Sequence, residues 1–234
     1  RMAKNKFNKG FIGGIAVAFL LPLSFYIIAK VLSKDKIALP DYYIAEGVDT
    51  VVEDGETYYD TIYHKVADVE LTNQFGNKVS INNDLGDKIV VVNFFFTTCP
   101  TICPKLTQHV KMLQRAFKKN DTTVHLVSIT VDPEKDSFPA IRQYADQNGV
   151  DHDHWYFMTG DRDLIYNYAY NELHVVMGEG RQGADDFIHS QQLVLLDKER
   201  HIRGYYDGLD TAELRRCADD IILLTLEKKR KRRH

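Results

Sequence analysis

IVVVNFFFTTCPTICP (89–104) is the stretch on which the fold turns. Its first eight residues form a continuous apolar run of β-favouring side chains, as in a central strand buried on both faces. The chain then turns through TTCP. Pro104 stands where a helix can begin, and Leu106, Val110, Leu113 and Phe117 follow at helical spacing. A buried strand feeding directly into an amphipathic helix is the opening of an α/β unit.

Outward from that unit the pattern continues. ADVELTNQFGNKVSINN (67–83) alternates around Gly76-Asn77, a hairpin signal. TVHLVSITV (123–131) reads as a second buried strand stopped by Asp132-Pro133, followed by a helix over 137–148, a strand over 155–160 and a helix over 161–173. MGEGRQGADD (177–186) reads as a loop. HSQQLVLLD (189–197) and HIRGYYDG (201–208) pair as a hairpin across Lys198-Glu199-Arg200, and 210–227 is an amphipathic helix capped by Asp210 and Thr211. The expected fold is an α/β domain over 65–227 with a mixed central sheet. Residues 32–64 show no clear period and read as a juxtamembrane linker.

Hydrophobic residues at 44% and charged ones at 27% exclude a disordered or low-complexity chain. The net charge of −3 hides an asymmetry. Residues 1–36 carry seven Lys/Arg against Asp35 alone, and KKRKRR (228–233) forms a basic tail. Between them, 37–227 hold 17 basic and 32 acidic residues, an acidic body that argues against nucleic acid as partner. After the basic segment 1–9, GFIGGIAVAFLLPLSFYIIA (10–29) has no charge, and twenty residues at ~1.5 Å rise span ~30 Å of bilayer. We read 10–31 as a transmembrane anchor rather than a cleavable signal peptide, whose apolar stretch is ~7–15 residues. Four basic residues before the span and three after it favour a cytoplasmic N-terminus, with the domain on the outer, periplasmic side.

Cys99 and Cys103 are the chemical centre of the sequence. If Cys99 is already helical, their i, i+4 spacing puts both thiols on one face, and a helix N-terminus favours thiolate at each. Two soft thiolates suit Cu(I), and Zn(II) less distinctively; the same spacing also permits a disulfide. A pair of merely structural buried cysteines is the bland alternative. Copper would need a third ligand, and nine histidines compete. His189 stands at the start of its strand after the loop 177–186, where an imidazole can complete a set suited to Cu(I) and Cu(II). His152 and His154 border an Asp-rich turn and read as solvated. His64, His109, His125, His174 and His201 have no partner visible in the sequence. Cys217, among Leu214, Ile221 and Leu224, reads as a core thiol.

FFFTTCPTICP (94–104), ITVDPEKDS (129–137), FIHSQQLVLLDKERHIRGYYDG (187–208) and the N-terminal anchor resemble the SCO/SenC family. That resemblance covers roughly 65–225 and implies a thioredoxin-like, membrane-anchored protein that assists copper delivery to cytochrome c oxidase. It implies that Cys99, Cys103 and His189 are the copper ligands and that Asp132 lies near the site. Its partners would be the copper-bearing oxidase subunit or respiratory complex, an upstream copper donor and a thiol reductase. Thr101 and Ile188 stand where many members carry Asp, which leaves the rim of the site less anionic. The implied role is that of a metallochaperone more than an enzyme. The alternatives are a thiol–disulfide oxidoreductase acting on the oxidase cysteines, or a permanent accessory subunit.

Overall fold

The computed structural model describes residues 18–28, 39–53, 56–117, 122–175 and 191–227. The chain divides into two units, Arg1–Ala38 and Leu39–His234. In the first, residues 18–28 are helical. Among the described residues no helix is long and apolar enough to cross a membrane; the rest of the anchor expected at 10–31 lies outside them. The basic segments 1–9 and 228–234 lie outside them too.

In the second unit, strands β1 (Ala45–Glu53) and β2 (Glu56–Tyr63) form a two-stranded antiparallel ribbon. The stretch read as a shapeless linker is therefore partly regular. Its alternation is invisible because β2 is exposed along almost its whole length, so no face is selected for apolarity.

The remaining strands are β3 (Glu70–Asn73), β4 (Lys78–Ser80), β5 (Ile89–Phe95), β6 (Val124–Thr130), β7 (Trp155–Thr159), β8 (Gln192–Leu196) and β9 (Ile202–Asp207). They form one sheet in the order β4-β3-β7-β6-β5-β8-β9. β5, β6 and β7 are parallel neighbours, while β3, β8 and β9 run antiparallel to theirs, so the sheet is mixed as expected. Every residue of β5 and β6 is buried, which is why both read as buried central strands, β6 carrying His125 and Ser128 among its apolar residues. Helix α1 (Ile102–Ala116) crosses from β5 to β6 and buries Cys103, Leu106, Thr107, Val110 and Leu113. Helix α2 (Phe138–Gln147) crosses from β6 to β7. Both steps move the same way along the sheet, so right-handed crossovers put both helices on one face. Tyr144 of α2 packs there on Phe95 at 5.2 Å between ring centroids. Helix α3 (Arg162–Asn167) continues as a π turn, Tyr168–Glu172. Helix α4 (Thr211–Leu226) closes the unit, with the Asp210 carboxylate accepting the Ala212 N–H.

β5 and β6 are parallel and in register at their ends, Phe95 beside Thr130. Their exits, TTCP and VDP, therefore leave the same end of the sheet.

Candidate metal centre

The turn after β5 is pinned from below. Thr97 donates its backbone N–H to Asp136 at 3.0 Å and its hydroxyl to the other oxygen of the same carboxylate. Thr130, the last residue of β6, donates its hydroxyl to Asp136 as well. The turn closes through Cys99 N–H to the Phe96 carbonyl at 3.3 Å.

Cys99 is not helical. Helix α1 begins at Ile102, and Thr101 at its N-cap makes no side-chain cap. The cap is sulfur: Cys99 Sγ accepts the Cys103 backbone N–H at 3.3 Å. This replaces the expected picture of two thiols on one helix face, because the prolines at 100 and 104 bracket a turn rather than a helical repeat. Both cysteines are buried, each only 4% exposed, and neither forms a disulfide.

The two sulfurs differ electrostatically. Burial pushes the Cys99 thiol up, but the Cys103 N–H, the Cys103 thiol and the N–H groups of Thr101 and Ile102 outweigh it and hold Cys99 below the usual thiol range. Burial and the bond to Cys99 push Cys103 up, to about 12. The helix terminus thus favours thiolate at one cysteine, where both were expected to benefit. The pair comprises one thiolate-prone sulfur and one protonated sulfur donating to it.

Asp132 is buried at the same end of the sheet. Its carbonyl accepts the Asp136 N–H at 2.9 Å, and its Oδ2 faces Lys135 Nζ at 3.5 Å. His189 lies outside the described residues. The strand it was expected to open starts at Gln192, and β8 pairs antiparallel with β5, Val194 beside Val92. Among the described residues no three His, Cys, Asp or Glu side chains come together as a metal site. Several of the described histidines are held elsewhere in the fold. His64 contacts Glu46 at 2.6 Å and the Glu172 carbonyl at 3.0 Å. His109 contacts the Gly208 carbonyl, and His152 contacts Asp146 and Gln74, so it is not simply solvated. His125 is buried, and that burial pushes it down to about 3. Cys217 is a buried core thiol, as expected. A cavity of about 460 Å³ lined by Lys111, Gln114, Arg115 and Phe117 lies by the C-terminal half of α1, away from the sulfurs.

Asp136, which pins the cysteine turn, went unremarked in the sequence reading. The only signal was its place in VDPEKDS, where Asp132-Pro133 stops the strand and the acid four residues on has no partner visible in the sequence.

Residues 60–222 match the SCO1/SenC family. The chain is similar to the SCO1 protein homolog of Bacillus subtilis strain 168, 28% identical over 169 residues, which is 72% of this chain and 84% of that protein. Its fold is similar to that of BsSco, a member of the Sco family of cytochrome c oxidase assembly proteins. There the TM-score is 0.62 and the identity 26%, over 72% of this chain and 98% of that one. It also resembles Bradyrhizobium japonicum ScoI, solved with copper bound, with a TM-score of 0.55, 24% identity and 68% and 98% coverage. The thioredoxin-like α/β architecture with a mixed sheet is shared with these structures.

Proposed function

This chain belongs to the SCO1/SenC family, and on that premise we propose that it binds copper and assists assembly of the copper site of a respiratory cytochrome c oxidase. The observation that carries this reading is the reduced, buried Cys99–Cys103 pair, offered at a strand end with one sulfur already drawn toward thiolate. Soft thiolates are ligands of choice for Cu(I), and an imidazole widens the set to Cu(II). We assign the third position to His189, whose block FIHSQQLVLLD carries the resemblance. Copper is cargo here. Cys99 takes it first because its thiol gives up a proton more readily; Cys103 loses its proton on binding, and acceptor thiolates then displace the two in turn. The span 10–31 would tether the domain to the cytoplasmic membrane with its N-terminus inside and its sulfurs outside. An upstream copper donor and a thiol reductase would supply metal and reduced sulfur.

The inequality of the sulfurs also favours a second reading, a thiol–disulfide oxidoreductase. Cys99 thiolate would attack a partner disulfide to form a mixed disulfide. Cys103 would then displace the partner thiol, leaving Cys99–Cys103 oxidised and the partner reduced by two electrons. Anaerobic titration separates the readings. Wild type should take up one copper, with thiolate-to-Cu(II) charge transfer that Cys99→Ser or Cys103→Ser abolishes. His189→Ala should lose Cu(II) far more than Cu(I) while keeping most of its disulfide-exchange rate. Oxidase assembly that survives His189→Ala intact would leave the oxidoreductase standing and remove copper delivery.

A further inference from the structure

We propose that Asp136 is a positioning residue for the cysteine site and its buried counter-charge, holding the Thr97–Cys99 turn on β6 and favouring Cu(II) over Cu(I) at the thiols. The inference rests on the copper reading above.

Asp136 has no exposed surface, and it gathers three donors: the Thr97 N–H, the Thr97 hydroxyl and the Thr130 hydroxyl. Two of these belong to the turn that delivers Cys99, and the third to the neighbouring strand. The carboxylate therefore fixes the separation between the exits of β5 and β6. Among the described residues no Lys, Arg or His forms an ion pair with it. A buried anion without a cation is costly, and hydrogen bonds compensate only part of that cost. From Ile89 to Pro104 the chain carries no charged residue, so the negative charge beneath the site comes from elsewhere in the fold. Asp136 is close enough that its charge is felt at Cys103 and at Tyr144, which packs on Phe95.

Two thiolates and a neutral imidazole leave a Cu(I) site with net charge −1 and a Cu(II) site neutral. A fixed anion alongside repels the first and not the second, so it tilts the site toward Cu(II).

The test uses the full chain in detergent. Cu(I) and Cu(II) affinities and the charge-transfer spectrum are measured for wild type, Asp136→Asn and Thr130→Val. Asp136→Asn removes the charge at nearly constant shape; Thr130→Val removes one hydrogen bond and keeps the charge. We expect Asp136→Asn to lower Cu(II) affinity on the order of tenfold more than Cu(I) affinity, as for an opposite charge at close range. It should also shift the charge-transfer band, whereas Thr130→Val should leave the ratio of the two affinities unchanged. An unchanged ratio in Asp136→Asn, or equal losses of both affinities in both variants, would overturn the counter-charge. Failure of the wild type to take up copper would overturn the copper reading together with it.

Discussion

At the end of the sheet where β5 and β6 stop, one buried carboxylate, Asp136, gathers three donors and leaves two sulfurs without a covalent partner. At the opposite end, where β8 turns into β9, two buried guanidiniums gather carbonyls and the buried Asp197 carboxylate. β8 runs antiparallel to β5 with Leu196 beside Val90, so this turn lies at the far end of β5 from the cysteines. Arg200 donates to the carbonyls of Ile81, Leu85, Lys88 and Asp197 and to the Asn82 side chain. Arg203 pairs with Asp197 at 3.0 Å and Glu227 at 2.8 Å, donates to the Pro40 carbonyl and lies over the Tyr42 ring at 4.0 Å. It therefore ties both ends of the unit, Pro40 and Glu227, to one guanidinium. One end of the domain is saturated and holds; the other keeps ligating atoms in reserve. Stability and function should then separate by mutation.

The largest expected effect is at the reserve end and is functional. Cys99→Ser should remove the thiolate-to-Cu(II) charge transfer completely. A serine oxygen still caps α1, so thermal unfolding should show a stability change of less than about 1 kcal/mol. A large loss of stability in this variant would mean that the sulfur is a structural part and would break the comparison.

The next effect lies at the saturated end. Arg203→Leu removes the guanidinium that pairs directly with the buried Asp197 carboxylate, leaving the His201 ring 3.6 Å away. Breaking a buried pair from one side costs about 3–5 kcal/mol, or roughly 10 °C in Tm for a domain of this size. Copper stoichiometry, measured below the lowered Tm, should stay at wild type. A third effect follows from the same carboxylate. Burial pushes Asp197 up, but His201 and Arg203 outweigh it and hold it below the usual carboxylate range. A depressed acid adds stability that is complete above its unfolded pKa of about 3.9 and is lost as pH falls through the lower folded value. The wild type should therefore lose stability more steeply than Arg203→Leu on acidification below about pH 4, by denaturant unfolding at stepped pH. Parallel profiles would show that Asp197 is not the linked group.

These two ends were not equally legible. β5, β6, α1 and the cysteine pair were plain in the sequence, because burial on both faces writes a continuous apolar run and chemistry writes a cysteine pair. The sulfur cap was not, since TTCPTICP carries the same spacing whether Cys99 is helical or precedes the helix. The burial of Arg200 and Arg203 was not legible, because backbone carbonyls and distant carboxylates satisfy them and no local pattern records that. Asp136 was missed for the same reason: its donors sit 39 and 6 residues away. The β1–β2 ribbon escaped because periodicity reports burial, and this ribbon buries little.

That ribbon supplies the smallest expected effect, and it sharpens the contrast between ordered ends and an exposed arm. Asp49 lies directly opposite Asp60 in the register of β1 and β2, and both are exposed. No Lys or Arg occurs between Ile37 and His64, so nothing on the ribbon offsets their repulsion. Like charges directly opposite destabilise a strand pair, and opposite charges stabilise it by roughly 0.2–1 kcal/mol. Asp49→Lys should therefore slow amide hydrogen exchange across 48–61 by about two- to fivefold. It should leave Tm and copper uptake unchanged, because the ribbon opens on its own without unfolding the sheet. At high salt the gain should shrink as the charges are screened. If the slowing extended equally to β5 and β6, the ribbon would be opening together with the sheet rather than as an independent arm.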